Sequence, residues 1–188
     1  MLAVDVARLE RALAADDARF AARPLAGGYW QDEGRLPFGV ARRLLGLEDD
    51  LAHRRAVEAF WRSQPRRPLD ERALFVEERT RAQRLLTELE GRAPTPERAG
   101  QIALLRGVLA LVAAPEEGDR RALVVAAADN FRRAVVADPR LDDAKFNLEA
   151  ILRNSQNTIG SGEGTGGGGG RKGTEFGGAA VSRTGEGY

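Results

Sequence analysis

Proline and glycine punctuate this chain so that only one helix fits between successive stops. Pro24 with Gly27-Gly28, Gly34 with Pro37, Pro65 with Pro68, Gly91 with Pro94, Pro115, and Pro139 each separate stretches rich in Ala, Leu, Val and Arg. Proline removes a helical N–H and glycine adds backbone entropy to be lost, so helices end at such positions. Aromatic residues are only 6% of the chain. The core must therefore be built from Ala, Leu and Val, which suit close-packed helices better than sheets.

The segments between the stops have helical periodicity. Residues 2–22 space Leu2, Val6, Leu9, Leu13 and Phe20 along one face. From Phe38 to Arg62 the stripe is Val40, Leu44, Leu47, Leu51 and Phe60, and Gly46 before Glu48-Asp49-Asp50 offers a division into two helices. Residues 69–90 align Phe75, Ala82, Leu86 and Leu89, with Glu77 and Arg81 at ion-pair spacing. Thr95 and Pro96 read as cap and first turn of a helix over 96–114. Its apolar arc (Ile102, Leu104, Leu105, Val108, Leu109, Leu111, Val112) is too broad for a surface helix, which places it at the centre of the bundle. A fifth helix spans 120–137. A sixth, capped by Asp142, carries Ala144, Leu148 and Ile151. After residue 156 the composition changes. Residues 160–188 hold 13 glycines and few apolar groups, the mark of a segment that stays disordered. The expectation is an all-α chain of about six helices over 1–156, with a glycine-rich tail over 157–188.

Composition excludes several classes of function. The 29 basic and 28 acidic residues nearly cancel, so the chain lacks the positive surplus of a nucleic-acid coat. There is no cysteine, hence no disulfide, thiolate metal site or cysteine nucleophile. No apolar run approaches the roughly 20 residues of a membrane span, and the first residues do not read as a secretory signal. The expected location is cytoplasmic, with any attachment to the inner face of the membrane made through partners.

Catalytic chemistry is hard to assemble. His53, the only histidine, stands beside Arg54 and Arg55 on a helix and reads as a solvated position. The carboxylate pairs Asp16-Asp17, Glu48-Asp49-Asp50, Glu77-Glu78 and Asp142-Asp143 read as helix starts or charged faces. The run Gly166 to Gly170 before Arg171-Lys172 lacks the Lys-Ser/Thr pair and the strand of a phosphate loop. These readings give no catalytic residue, metal, cofactor or small-molecule substrate. Tyr29-Trp30, an aromatic pair in a loop, is either a ligand platform or a plug packing the loop onto the helices.

A shift of 71 residues aligns Ala56 with Ala127, Phe60 with Phe131, Arg62 with Arg133, Pro68 with Pro139, Ala73 with Ala144, Phe75 with Phe146 and Glu78 with Glu149. In the second copy, Ala127-x3-Phe131-x2-Ala134-x4-Pro139 resembles the second helix of a tetratricopeptide (TPR) repeat, and Asp143-Ala144-Lys145-Phe146-Asn147-Leu148 the start of the next unit. The first copy departs from that pattern at Ser63, where the small alanine belongs. More narrowly, the stretch from Ala137-Asp138-Pro139 to Glu149, with Leu45 to Ala52 and the ending Gly187-Tyr188, resembles bacterial TPR proteins of a particular operon type. These operons, the aerotolerance operons among them, also encode MoxR-type AAA ATPases and von Willebrand A-domain proteins. The resemblance implies a degenerate TPR-like bundle acting as a scaffold or adaptor, with those two kinds of protein as partners. Two alternatives stay open: a nucleic-acid-associated helical regulator, and a structural subunit of an envelope-linked complex. In TPR proteins the first helix of each hairpin lines the binding groove. That pattern implies partner-binding roles for Arg72, Phe75 and Arg79 on one helix, and for Phe146, Asn147 and Arg153 on the last.

Overall fold

The computed structural model describes residues 2–30, 47–64, 72–93, 95–113 and 119–160. They form six helices: α1 (Leu2–Ala22), α2 (Leu47–Arg62), α3 (Arg72–Glu90), α4 (Pro96–Ala113), α5 (Arg120–Ala137) and α6 (Asp142–Gly160). No strand occurs among the described residues. The expected helical stretch over 38–46, the start at 69 and the tail over 161–188 lie outside them. Where the sequence suggests one helical domain over 1–156, the chain divides into two compact units at Ala93/Pro94. α6 also runs through Gly160, beyond the expected boundary at 156.

In the first unit, α2 packs along α3. Ala56, Val57, Ala59 and Phe60 from α2 and Ala82, Leu86 and Leu89 from α3 are buried. The acidic first turn of α2, Glu48-Asp49-Asp50, complements the helix dipole. At its other end, Ser63 donates its backbone N–H to Ala59 O and its hydroxyl to Phe60 O at 2.7 Å. Serine is almost as small as alanine, and its buried hydroxyl has a local acceptor. Ala56 and Phe60 share the depth of burial of their counterparts Ala127 and Phe131, and Ser63 that of Ala134.

In the second unit, α4 lies against α5 and α6 folds back on α5. Thr95 caps α4, its Oγ1 accepting the N–H of Arg98 at 3.2 Å. Asp119 caps α5 through Ala122 N–H at 3.0 Å. Leu111 and Val112 are only half-buried, whereas Ile102, Leu104, Leu105, Val108 and Leu109 are buried as their periodicity implies. Two glycines, Gly100 and Gly107, set how closely α4 approaches α5. A Cβ at Gly107 would lie 2.5 Å from the Phe131 ring, and one at Gly100 would lie 3.2 Å from Ala134 O.

The reversal after α5 is a turn closed by Leu141 N–H on Asp138 O at 3.1 Å, with Pro139 at the position where a fixed φ helps. Asp138 Oδ1 accepts the N–H of Arg140, two residues on, at 3.0 Å, an Asx turn. Asp142 is not the cap of α6. It is the first helical residue, and Leu141 O accepts the N–H groups of Ala144 and Lys145.

Candidate interaction surface

The sequence-derived binding residues fall in two groups, one in each compact unit. Arg72 opens α3, its side chain lying outside the described ones, while Phe75 and Arg79 are half-buried further along that helix. On α6, Phe146 is 59% exposed and Arg153 is exposed, its Nη2 donating to Glu149 Oε1 at 2.5 Å. Asn147 is a correction. It is only 3% exposed, so it packs inside the unit and does not face a ligand. Periodicity accounts for the difference: positions 146, 149 and 153 share one face of a helix, and 147 is turned about a quarter-turn away.

The outward face of α6 therefore presents Lys145, Phe146, Glu149, Leu152 and Arg153. A large aromatic ring sits at one end, an aliphatic side chain lies near the other, and charges of both signs are interleaved. Lys145 Nζ donates to Asp142 Oδ1 at 2.9 Å, which fixes one flank of the ring's surroundings. An exposed ring framed by charged side chains can bind an amphipathic segment, with apolar contact at the centre and ion pairs at the margin.

No family model, curated protein or solved structure matches this chain.

The other concentration of polar chemistry, in the first unit, was misjudged from sequence. His53, read as solvated, is 1% exposed. Asp16 and Asp17, read as a charged face, converge on the loop after α1 and on α2. Arg54 Nε and Nη2 donate to the two oxygens of Asp17 at 2.9 and 3.0 Å, and its Nη1 donates to Asp50. Trp30 gives its indole N–H to Asp17 Oδ1 and its backbone N–H to Asp16 Oδ2, both at 3.0 Å. Gly28 N–H donates to Glu58 Oε1 at 2.9 Å. The Tyr29 hydroxyl donates to Arg23 O at 2.6 Å, at the end of α1. Tyr29, Trp30 and Phe20 are mutually packed, with ring centroids 5.0–5.7 Å apart. Of the two readings of Tyr29-Trp30, the plug is the one observed; both rings are buried. Among the described residues, no group of three or more His, Asp or Glu is placed to hold a metal ion, and no helix is long and apolar enough to cross a membrane.

Arg106 and Asp138 carry shifted pKa values. Burial, and then the charge of Arg133, hold Arg106 below the usual arginine range. Asp138 is held below the usual carboxylate range, first by the backbone N–H of Arg140. Partial desolvation opposes that shift, while the Arg140 side chain and the Lys145 charge add to it. A depressed folded-state pKa means that the Asp138 carboxylate stabilises the fold fully above its unfolded value of about 3.9, and that this contribution is lost as pH falls through the folded value. Urea unfolding followed from pH 7 into the acid range should therefore show Asp138→Asn losing less stability below about pH 4 than the parent chain. Parallel acid limbs for the two proteins would remove Asp138 from the acid response.

Proposed function

We propose that this chain is a non-catalytic scaffold of the TPR class that holds a partner protein against the outward face of α6. The observation that carries the reading is Phe146, a phenylalanine 59% exposed at the start of a helix whose inner face is packed by Ala144, Asn147 and Ile151. A ring of that size left in water is unfavourable, by roughly 25 cal/mol for each Å² of apolar surface that a partner could cover. The 71-residue correspondence supports the repeat class, because Ala56, Phe60 and Ser63 of α2 are buried as Ala127, Phe131 and Ala134 of α5 are. The operon-type resemblance suggests a MoxR-type AAA ATPase and a von Willebrand A-domain protein as partners. The scaffold would then work on the cytoplasmic side, reaching the membrane only through them.

The test is capture from native lysate by the full chain, with the bound ATPase identified by mass spectrometry. Phe146→Asp should keep its fold, since exposed substitutions usually change stability by no more than about 0.5 kcal/mol. It should lose the captured ATPase. The pair Arg72→Glu and Arg79→Glu tests the α3 group in the same assay. Undiminished recovery by Phe146→Asp would place the binding surface away from α6.

A further inference from the structure

Charges alternate in sign along the outward face of α6. Asp142, Lys145, Glu149 and Arg153 follow one another at helical spacing and are all exposed, with the exposed Phe146 and Leu152 set among them. At about 100° per residue these six positions fall within an arc of about 120°, on the side away from the buried Ala144, Asn147 and Ile151. Within the helix the charges are joined as neighbours. Lys145 Nζ donates to Asp142 Oδ1 at 2.9 Å, and Arg153 Nη2 donates to Glu149 Oε1 at 2.5 Å.

The order negative, positive, negative, positive becomes its opposite when read backwards. The face is therefore complementary to its own reverse. Laid face to face and antiparallel about the point between Asn147 and Leu148, two copies of α6 set Asp142 opposite Arg153 and Lys145 opposite Glu149. Two-fold symmetry repeats each pair. The same crossing brings the two Phe146 rings within about 5 Å of each other along the axis, and lays Leu152 over the methylene stem of Lys145 in the other copy. A parallel arrangement sets like charge on like.

We propose that the outward face of α6 docks, antiparallel, on the same face of a second copy of this chain. This rests on the reading of that face as a docking surface and adds an occupant that a partner protein has to displace. Charge complementarity selects the second copy. A uniformly acidic or basic segment, or a nucleic-acid backbone, meets two of the four charges with the wrong sign, and like charges brought together oppose docking. One helix crossing buries well under the standard interface of about 1,600 Å², so the pair is weak and exchanges with the single chain.

The experiment is sedimentation equilibrium of the full chain from about 1 µM to about 1 mM, the range in which weak pairs associate. A monomer–dimer equilibrium is expected, and Phe146→Ala should weaken it at least tenfold. Lys145→Glu and Glu149→Lys should each do the same, because each sets like charges opposite one another. Mixed in equal amounts, these two charge variants should recover the parent's dimer, since every cross-pair is then opposite in sign. Damage to the helix alone gives no such recovery. Arg132→Glu is the control, since Arg132 is exposed on α5 and paired with Asp129 at 2.6 Å. It should associate as the parent does. A dimer untouched by Lys145→Glu, an equal loss in Arg132→Glu, or a mixture that stays monomeric would each overturn the proposal. So would a parent chain that is monomeric at every concentration. If Phe146→Asp then still loses its captured ATPase, a foreign partner occupies the face, and the scaffold reading stands without the dimer. Recovery in the mixture beside undiminished capture by Phe146→Asp supports the dimer and counts against docking of the ATPase on α6.

Discussion

Phe131→Ala should destabilise the second compact unit by about 3–5 kcal/mol, the usual range for truncating a phenylalanine in a core. Phe131 is wholly buried between Ala127 and Ala134 on its own helix, and its ring lies over Gly107 of α4. The ring fills the space that the small residues leave, so its removal opens a cavity that neither helix can close without giving up the seam. Because domains are stable by only about 5–15 kcal/mol in total, a loss of this size takes much of the margin. The transition should be followed by circular dichroism, since both tryptophans of the chain, Trp30 and Trp61, lie in the first unit. A change below about 1 kcal/mol would mean that the seam repacks around the missing ring.

The companion substitution sets two effects in opposition. Gly107→Ala raises helix propensity by about 1 kcal/mol. Its methyl group would, however, sit 2.5 Å from a carbon of the Phe131 ring, a rigid group in a filled space. Overpacking of that kind costs about 1–3 kcal/mol, so the net effect is destabilising. In the double variant the new methyl occupies part of the space vacated by the ring. The two changes should therefore sum to less than their separate losses, with a coupling of about 0.5–3 kcal/mol, as expected of residues in contact.

Helix placement was legible because its signals are local. Gly91 follows the end of α3 and Thr95 precedes α4, each acting on its own backbone, and Pro139 marks the turn before α6 in the same way. Buried stripes such as Ala82, Leu86 and Leu89 follow from spacing alone. What escaped depends on neighbours distant in sequence. Asp17 and Arg54 are 37 residues apart, and nothing near either of them announces the pair. His53 lies beside two arginines, which suggested solvent, yet Arg54 is itself carried inward by its carboxylate partners. Gly100 and Gly107 did leave a trace: they are seven apart, hence on one face, in a helix already judged too apolar for the surface. A hydrophobicity pattern passes over glycine, although its missing side chain is what lets α5 approach. On α6, sequence could place Phe146 and Arg153 on a helix. It could not show that the ring is exposed and that Asn147 next to it is buried.

The second large effect is expected at Asp17. Asp17→Ala removes both oxygens that receive the Arg54 fork and the acceptor of the Trp30 indole N–H. Arg54 is 7% exposed at its side chain and keeps Asp50 as a partner, whereas Asp17 is 25% exposed. Breaking a buried ion pair by deleting one member costs about 3–5 kcal/mol, because the other charge is left in a poor environment. The surviving Asp50 contact and the partial exposure of Asp17 put the expected loss near the lower end, about 3 kcal/mol. A further contribution comes from the loop. Trp30 has φ = 55°, a left-handed backbone conformation worth about 1–3 kcal/mol of strain in a non-glycine residue. It is held there by Asp16 on its N–H, Asp17 on its indole, Arg55 on its carbonyl and the rings of Phe20 and Tyr29 around it. With Asp17 gone, the loop can relax and expose the indole. Asp17→Ala should thus lower the urea midpoint of the first unit and shift tryptophan emission to the red before global unfolding begins. Asp17→Asn keeps an acceptor for the indole while losing the charge, so it should retain most of the native emission and only part of the stability. Equal behaviour of the two variants would show that the lost charge accounts for the effect, and that the hydrogen bond from Trp30 to Asp17 is not what closes the loop.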